Sequence, residues 1–355
     1  MVARLRATRI RPFILPVSHT GKREVRKMIA NHPFGACLPT FGNCADRYCL
    51  SGYGGGGTTM EEMLDLSLKV EGLDGLELVG NWHVNDGNIR DVARMFSDRG
   101  LKICMLVPDL WTQAKWGKGS LAAPDAKTRR AGVDEIKKVM DWAAELGCRY
   151  LDVWPGQDGF DYCFQADYVE AWKWLRDGLS DCAAHNDRVR ILVEYKPREP
   201  RTHCFVDHVG TVLLLLRGLD NVGVLLDVGH AMQGGENVAQ AAALLSQHGK
   251  LDYLHLNDNH GDWDEDMMVG SVHLVAYLEL AYWLKRLDYR GWLTLDIFPY
   301  REDGVAAASE CRAWMEGFFA AVDRAGMDAF ADVIREADAC TGSALVRRAL
   351  NLAGS

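Results

Sequence analysis

The sequence predicts an α/β protein, a (β/α)8 TIM barrel with a C-terminal helical extension. Eight short apolar runs, rich in Leu and β-branched residues, recur along the 355 residues, and such runs are typical of parallel strands that are buried on both faces. Helical stretches with apolar residues three or four positions apart separate the runs. Their regular alternation favours one barrel. A doubly wound sheet is the alternative fold, but the glycine run GYGGGG at 52–57 does not directly follow the first apolar run, as the glycines of a dinucleotide-binding motif would.

The elements can be assigned in order along the chain. Predicted strands cover residues 34–39, 75–79, 102–107, 149–154, 190–194, 222–227, 251–257 and 292–297. Predicted helices cover residues 60–70, 130–146, 168–185, 208–219, 239–247 and 273–287. Met140, Ala143 and Leu146 form one helical face, and Gly147 marks the end of that helix. We therefore expect an irregular N-terminal extension at 1–30, a catalytic barrel at 31–305, and helices at 306–355 that pack on the barrel or on a partner subunit.

Charge and composition exclude several classes of protein. The chain has 40 Lys+Arg against 49 Asp+Glu, which gives 40 − 49 = −9, and this acidic balance argues against a nucleic-acid or anionic-membrane surface. Apolar runs stay shorter than the roughly 18 residues of a membrane span, and the basic start of the chain lacks the apolar stretch of a secretory signal. Ten scattered cysteines without a Cys-x-x-Cys pair predict reduced thiols and a cytoplasmic protein.

Polar residues stand where the later strands end, and in such a barrel chemistry takes place at the C-terminal ends of the strands. Seven carboxylate or imidazole groups are therefore expected on one face, namely Glu194, Asp227, His230, His255, Asp264, Asp266 and Asp296. Oxygen-rich ligation with imidazole suits a hard or borderline divalent ion such as Mn²⁺, Mg²⁺ or Co²⁺. Any one such Asp could instead be a helix N-cap, but four successive strand ends carry an acidic residue. Lys196, close to Glu194, is interpreted as a cation aimed at a substrate oxygen.

Several motifs resemble the xylose isomerase family and the related L-rhamnose isomerases and ketose epimerases. They are DLWTQAKWGKGSLAAPD at 109–125, AAELGCRYLDVWPGQDG at 143–159, VEYKPREPR at 193–201 and HLNDNHGDWDED at 255–266. The third resembles the family's Glu-x-Lys-Pro motif, and the fourth resembles its Asp-x-Asp loop. The resemblance spans roughly residues 34–305 and concerns the metal site; it is not specific for one sugar.

The resemblance implies two divalent cations. Glu194, Asp227, His255 and Asp296 would ligate the first; His230, Asp264 and Asp266 would ligate the second, with Asp227 bridging. Xylose isomerases place Asp at the position of His255 and Glu at the position of Asp227. Both differences resemble the rhamnose isomerases and epimerases, so the metal site is closest to L-rhamnose isomerase-type enzymes.

The resemblance also implies an activity. An unphosphorylated aldose and its ketose would interconvert by a metal-assisted hydride shift between C1 and C2. Lys196, Asp266 and His83 would be catalytic, with Lys196 at the carbonyl oxygen, Asp266 beside a metal-bound water and His83 assisting ring opening. Trp111, Trp154, Asn257 and His260 would line the sugar pocket. The implied assembly is a homodimer or homotetramer.

Other functions stay open on the same barrel. A ketose 3-epimerase or a lyase of the C-glycoside deglycosidase type would use a similar site, although the epimerases have Glu where this chain has Asp296 and the lyase would need a small partner protein. An apurinic-site endonuclease would need a basic DNA groove, which the charge of −9 counts against. A sugar-binding module without catalysis would not need two metal clusters.

Overall fold

A computed structural model describes residues 32–45, 49–54 and 58–352, and within these ranges the expected barrel is confirmed. The N-terminal extension expected at 1–30 lies outside the described residues. Eight parallel strands close the barrel, each paired with the next along the chain and β1 paired with β8. They are β1 Phe34–Cys37, β2 Gly75–Val79, β3 Lys102–Val107, β4 Tyr150–Val153, β5 Arg190–Glu194, β6 Val222–Asp227, β7 Leu251–Leu256 and β8 Trp292–Leu295.

Helices follow the strands on the outside of the barrel. They are α1 Met60–Ser67, α2 Ile89–Arg99, α3 Ala126–Glu145, α4 Tyr168–Ala183, α5 Val209–Leu215, α6 Val228–Gln233, α7 Val238–Gln247, α8 Leu274–Arg286, α9 Gly304–Ala325, α10 Met327–Glu336 and α11 Ala339–Ala349. Helix α3 begins four residues before its predicted start because the Asp125 side chain accepts a hydrogen bond from the Thr128 N–H and caps it. The short helix α6 was not predicted; Asp227 caps it in the same way.

Below the C-terminal end of the barrel, its inside is filled by large, mainly apolar side chains. Met105, Leu192, Leu225 and Tyr253 form a fully buried cluster there. Because successive strand residues alternate between the two faces, the residues two positions further along, such as Glu194, Asp227 and His255, also point inward. They lie one layer higher, at the C-terminal end of the barrel.

A small antiparallel sheet covers part of that end and was not predicted. It joins Gly159–Phe160, Thr202–Cys204 and Arg198–Glu199, with Thr202–Cys204 in the middle. This sheet fixes the loops that follow β4 and β5. It thereby holds Glu199 close to Lys196.

The C-terminal helices pack against the last part of the barrel. Helix α9 runs across the boundary expected between residues 305 and 306 and packs on α8, where Tyr277 and Phe318 stack with ring centroids 5.7 Å apart. Helices α10 and α11 pack on α9 and on each other. Among the described residues, no helix combines the length and the apolar character needed to span a bilayer.

Candidate metal centre and active site

A cavity of ≈ 420 Å³ opens at the C-terminal end of the barrel, where (β/α)8 enzymes carry their active sites. Its titratable lining residues come from most of the strands and from the loop after β7. They are Cys37, Glu77, Asp152, Glu194, Lys196, Glu199, His230, His255, Asp264, Asp266 and Asp296. Its large apolar lining residues are Trp82, Trp111, Trp154 and Phe298.

Four side chains form a candidate metal centre at this end of the barrel. Glu194, His255 and Asp296 line the cavity, and Asp227 lies beside His255 without lining it. Glu194, Asp227, His255 and Asp296 each place a ligand atom so that all four atoms lie within 4.8 Å of one another. His255 Nδ1 is 3.2 Å from Glu194 Oε1, 3.7 Å from Asp296 Oδ2 and 3.8 Å from Asp227 Oδ2. These are the four residues expected for the first cation. Strand ends bring them together, because the C-terminal ends of parallel strands meet at one rim.

The electrostatics of these four residues favour a cation among them. Burial and the nearby Glu194 charge raise the pKa of Asp227 to about 7, while the two imidazoles at His230 and His255 oppose that rise. Burial likewise raises the pKa of Asp296. His255 and His230 hold the pKa of Glu194 below its usual value in spite of burial. Buried carboxylates that resist ionisation become easily ionised ligands when a divalent cation lies between them.

Asp227 has two roles, since it caps α6 and belongs to the cluster. Its Oδ1 accepts the His230 backbone N–H at 2.7 Å, and its Oδ2 accepts the Asn257 side-chain amide at 2.9 Å. Gly229 permits this arrangement, because a Cβ there would lie 1.8 Å from Asn257 Oδ1. Asn257 is therefore buried behind Asp227 and supports it, and it does not line the cavity.

The three residues expected for the second cation line the same cavity and surround Lys196. Asp264 Oδ2 is 2.6 Å from Lys196 Nζ and 3.2 Å from His230 Nε2, and His230 Nδ1 is 3.1 Å from the Tyr195 carbonyl oxygen. Asp264 Oδ1 is buried with no hydrogen-bond partner in the described part of the chain. Among the described residues, His230, Asp264 and Asp266 do not form a set of donors as compact as the first cluster.

Charge compensation in this second group is strong. Burial alone would lower the pKa of His230, but Asp227 and Asp264 raise it to about 9. Asp264 and Glu199 similarly raise the pKa of Lys196 well above its usual value against the effect of burial. Burial and the charges of Asp264 and Asp296 raise the pKa of Asp266 well above its usual value. The group therefore contains an ammonium where a second cation was expected to approach.

Three tryptophans form one wall of the cavity. Trp111 contacts Trp82 and Trp154 edge to face, with ring centroids 5.8 and 5.4 Å apart, and Lys196 Nζ lies 5.3 Å from the Trp154 ring. Trp111 and Trp154 were expected here. Trp82 was not expected in the cavity; it lines the wall, whereas its neighbour His83, which was expected there, does not.

His83 and His260 do not line the cavity. The His83 Nδ1 accepts a hydrogen bond from the Val79 N–H at 2.9 Å, and burial lowers its pKa to about 4. His260 is exposed on the loop after β7. The expected ring-opening role of His83 and the expected sugar contact of His260 are therefore not supported by their positions.

Two buried acidic residues of the site were missed. Glu77 on β2 and Asp152 on β4 are each 2% exposed, and both line the cavity. Glu77 contacts His255 Nε2, whereas Asp152 Oδ1 has no hydrogen-bond partner within the described ranges. An acidic residue inside an otherwise apolar run, as in GLELV and YLDV, was the available signal.

The fold and the site define a class of protein, a (β/α)8 barrel with an acidic, imidazole-containing centre at its C-terminal rim. A family model described as the xylose isomerase-like TIM barrel matches residues 67–318, and the chain belongs to this family. It is 29% identical over 233 residues to a xylose isomerase from Thermus thermophilus, a match that covers 62% of this chain and 60% of that protein.

Solved structures share the fold at low sequence identity. An L-ribulose 3-epimerase aligns with a TM-score of 0.64 and 17% identity, over 82% of this chain and 96% of that chain. A D-tagatose 3-epimerase-like protein aligns with a TM-score of 0.63 and 19% identity, over 80% of this chain and 97% of that chain. These likenesses concern the fold.

Proposed function

We propose that the protein is a divalent-metal-dependent sugar isomerase that interconverts an aldose and its ketose, with an unphosphorylated monosaccharide as substrate. The observation that carries the proposal is the convergence of Glu194, Asp227, His255 and Asp296, whose ligand atoms lie within 4.8 Å of one another, at the end of the barrel where the cavity opens. The 29% identity with a xylose isomerase over 62% of the chain supports the same reaction class.

The donor set fits a hard or borderline divalent ion. Three carboxylates and one imidazole suit Mn²⁺, Mg²⁺ or Co²⁺ better than a thiophilic ion. When bound, such an ion would hold two substrate oxygens and polarise the carbonyl group, which favours transfer of a hydride between C1 and C2. The chain's contribution is to hold these four donors on rigid strand ends.

A second cation belongs to the proposal as well. His230, Asp264 and Asp266, with Asp227 shared between the two sites, offer imidazole and carboxylate donors next to the first cluster. The buried Asp264 Oδ1, which has no hydrogen-bond partner within the described residues, supports a ligand role at this position. Lys196 already contacts the other oxygen of Asp264.

Lys196 is the residue we propose to act on the substrate carbonyl. Its ammonium lies between Asp264 and Glu199 and is kept charged by both. A fixed ammonium can donate a hydrogen bond to an oxygen on which negative charge develops. The tryptophan wall beside it would cover the carbon face of the sugar and keep water away from the transferred hydrogen.

The cavity argues for a substrate without phosphate. Of the described residues that line it, Lys196 is the only lysine or arginine, and it already pairs with two carboxylates. Phosphate recognition generally uses Arg, Lys or a helix N-terminus. A neutral polyol fits this lining better than an anionic sugar.

A ketose 3-epimerase is the second candidate, and Asp152 is the observation that favours it. Asp152 lies against Glu194, whose charge together with burial raises the Asp152 pKa well above its usual value. Epimerisation needs one group that removes the proton at C3 and a protonated group that returns a proton to the opposite face of that carbon, and Asp152 would be the second group. This route exchanges the substrate hydrogen with solvent, whereas a hydride shift does not.

The two candidates differ in the fate of a label. Metal-free protein would be loaded with Mn²⁺, Mg²⁺ or Co²⁺ and incubated with a panel of aldoses and ketoses, including an aldose deuterated at C2. We expect a ketose that retains deuterium at C1. A C3 epimer of a ketose, formed with solvent exchange, would establish the epimerase, and absence of turnover on the whole panel would refute both candidates and favour the lyase.

The wider context of the protein is also part of the proposal. On family likeness we propose a homodimer or homotetramer in the cytoplasm, acting on a small-molecule sugar without a nucleic-acid or membrane partner. Light scattering of the purified protein tests the assembly directly. A monomer at micromolar concentration would contradict it.

A further inference from the structure

His255 uses its two ring nitrogens on opposite sides. Nδ1 faces the candidate metal centre, at 3.2 Å from Glu194 Oε1. Nε2 faces Glu77, at 3.1 Å from Oε1 and 3.0 Å from Oε2. The ring therefore connects the metal centre to a carboxylate that does not belong to the four-residue cluster.

Glu77 is fixed by other donors, so its position does not depend on His255 alone. The Tyr253 hydroxyl donates to Glu77 Oε1 at 2.8 Å, and the Thr294 hydroxyl donates to the Tyr253 oxygen at 2.8 Å. The Cys37 thiol donates to Oε2 at 3.3 Å. Tyr253 and Thr294 are fully buried. The carboxylate thus belongs to a hydrogen-bonded chain across β8, β7 and β2 inside the barrel.

The chemistry of the contact sets the tautomer of the ring. A carboxylate only accepts hydrogen bonds, so the nitrogen that faces both Glu77 oxygens carries a hydrogen. Nδ1 also faces a carboxylate, Glu194, so by the same rule the ring of the metal-free protein carries a hydrogen on both nitrogens. A metal ligand must present a lone pair, so cation binding removes the hydrogen on Nδ1, and the Glu77 contact keeps the hydrogen on Nε2. Without Glu77, the ring could turn over or place its hydrogen on Nδ1, where it would face the cation.

We propose that Glu77 is a positioning residue of the metal centre, which holds His255 with its Nε2–H toward β2 and its Nδ1 lone pair toward the cation. The inference rests on the metal-dependent function proposed above. It adds Glu77, held by Tyr253 and Thr294, to the residues that determine metal affinity. Partners of this kind typically change metal affinity by about 10–100-fold when they are removed.

Mn²⁺ binding to the metal-free protein, measured by titration calorimetry without sugar, tests this role. We expect Glu77→Met to weaken Mn²⁺ binding by about 10–100-fold. Glu77→Gln should lose less, because its amide oxygen can still accept the Nε2–H. The double variant Glu77→Met/Tyr253→Phe removes the tyrosine hydroxyl that Glu77→Met would leave without an acceptor, and it should match Glu77→Met.

A double-mutant cycle separates positioning from general stability. If Glu77 acts through the imidazole, Glu77→Met should weaken Mn²⁺ binding no further in a His255→Ala background. The visible absorption of bound Co²⁺ should change in Glu77→Met, whereas thermal unfolding in EDTA reports any loss of stability separately.

The possible outcomes distinguish the inference from the function on which it rests. Wild-type Mn²⁺ affinity in Glu77→Met, or an equal loss in the presence and absence of His255, overturns the positioning role alone. If the wild-type protein binds no Mn²⁺, Mg²⁺ or Co²⁺, the metal-dependent function and the inference both fail. If Glu77→Met does not fold, the double variant Glu77→Met/Tyr253→Phe is measured in its place, and wild-type Mn²⁺ affinity together with an unchanged Co²⁺ spectrum in that variant overturns the inference.

Discussion

Lys196 Nζ lies 2.6 Å from Asp264 Oδ2, and both side chains are only 6% exposed. The same ammonium contacts Glu199. One buried cation thus pairs with two carboxylates beside the candidate metal centre. This ion pair affects both the stability of the rim and the chemistry of the cavity.

Lys196→Met should destabilise the metal-free protein by about 3–5 kcal/mol, because it removes the ammonium from two carboxylates and leaves the buried Asp264 paired with the His230 imidazole instead. It should also lower kcat in the metal-loaded protein while the first cluster still binds its cation. Urea unfolding in EDTA, metal analysis and steady-state kinetics measure the three quantities.

Lys137→Met is the matched control for stability. Lys137 pairs with Asp181 at 2.7 Å, but the two side chains are 20% and 49% exposed, and exposed pairs contribute less than about 1 kcal/mol. Equal losses of stability in the two Met variants would contradict a special cost at Lys196.

Asp296→Asn should abolish Mn²⁺ binding without lowering the stability of the metal-free protein. Burial raises the pKa of Asp296, so its charge is unfavourable in the fold when no cation is present. Free Mn²⁺ at 100 times its Kd should stabilise the wild-type protein by about 2.7 kcal/mol. The variant should not gain this stabilisation. Thermal unfolding with and without Mn²⁺ provides the measurement.

Glu194→Gln should likewise lose metal binding and turnover.

Asp98→Asn serves as the control for this series. Asp98 is exposed on α2, so its variant should keep the full stabilisation by Mn²⁺. If Asp296→Asn kept it as well, Asp296 would not be a ligand.

The strand ends explain why the clustering of Glu194, Asp227, His255 and Asp296 could be predicted. Glu194 and Asp227 each end an apolar run, so one sequence pattern gives both the strand and the position of its polar residue at the rim. His255 and Asp296 follow from the same rule on the next two strands. Closure of the barrel then brings the four residues together.

Residues inside the runs and in the loops could not be predicted in this way. Glu77 lies in the middle of a run that is apolar on both faces, so periodicity does not show that it points into the barrel. Trp82 and His83 are neighbours in a loop, and which of them reaches the cavity depends on the bond between the His83 ring and the Val79 N–H. Such contacts depend on tertiary structure.

His83 should make the protein less stable as the pH falls from about 6.5 to about 4. Burial lowers its pKa to about 4, so between these values the unfolded chain binds a proton that the folded chain does not. Stability from His83 is therefore fully present above pH 6.5 and is lost below it, by up to about 3 kcal/mol. NMR titration of the ring and urea unfolding at pH 7 and pH 5 measure the effect.

His83→Gln should have a smaller loss of stability between pH 7 and pH 5 than the wild type, because glutamine does not titrate. His260→Gln, at an exposed histidine, should keep the wild-type dependence. A His83 ring that titrates near 6.5 in the folded protein would refute the expectation.

Asp158, in the loop after β4, accepts hydrogen bonds from the loop after β3. Its carboxylate should therefore stabilise both loops, which form part of the wall of the cavity. The side chain is 1% exposed and accepts the Ser120 N–H at 2.8 Å, the Ser120 hydroxyl at 2.6 Å, the Leu121 N–H at 3.2 Å and the Ala122 N–H at 2.6 Å. Asp158→Asn replaces one accepting oxygen by an NH₂ group that faces donors. We expect a loss of about 2–3 kcal/mol in urea unfolding.

Asp125→Asn is the matched control for this substitution, since it makes the same chemical change at a carboxylate outside the core. Asp125 accepts the Thr128 N–H at 2.8 Å as the N-cap of α3, a position where asparagine serves about as well as aspartate. Its variant should therefore unfold close to the wild-type midpoint. A loss in Asp158→Asn no larger than in Asp125→Asn would mean that the buried bonds of Asp158 add no more stability than an exposed cap, and that other contacts hold the two loops together.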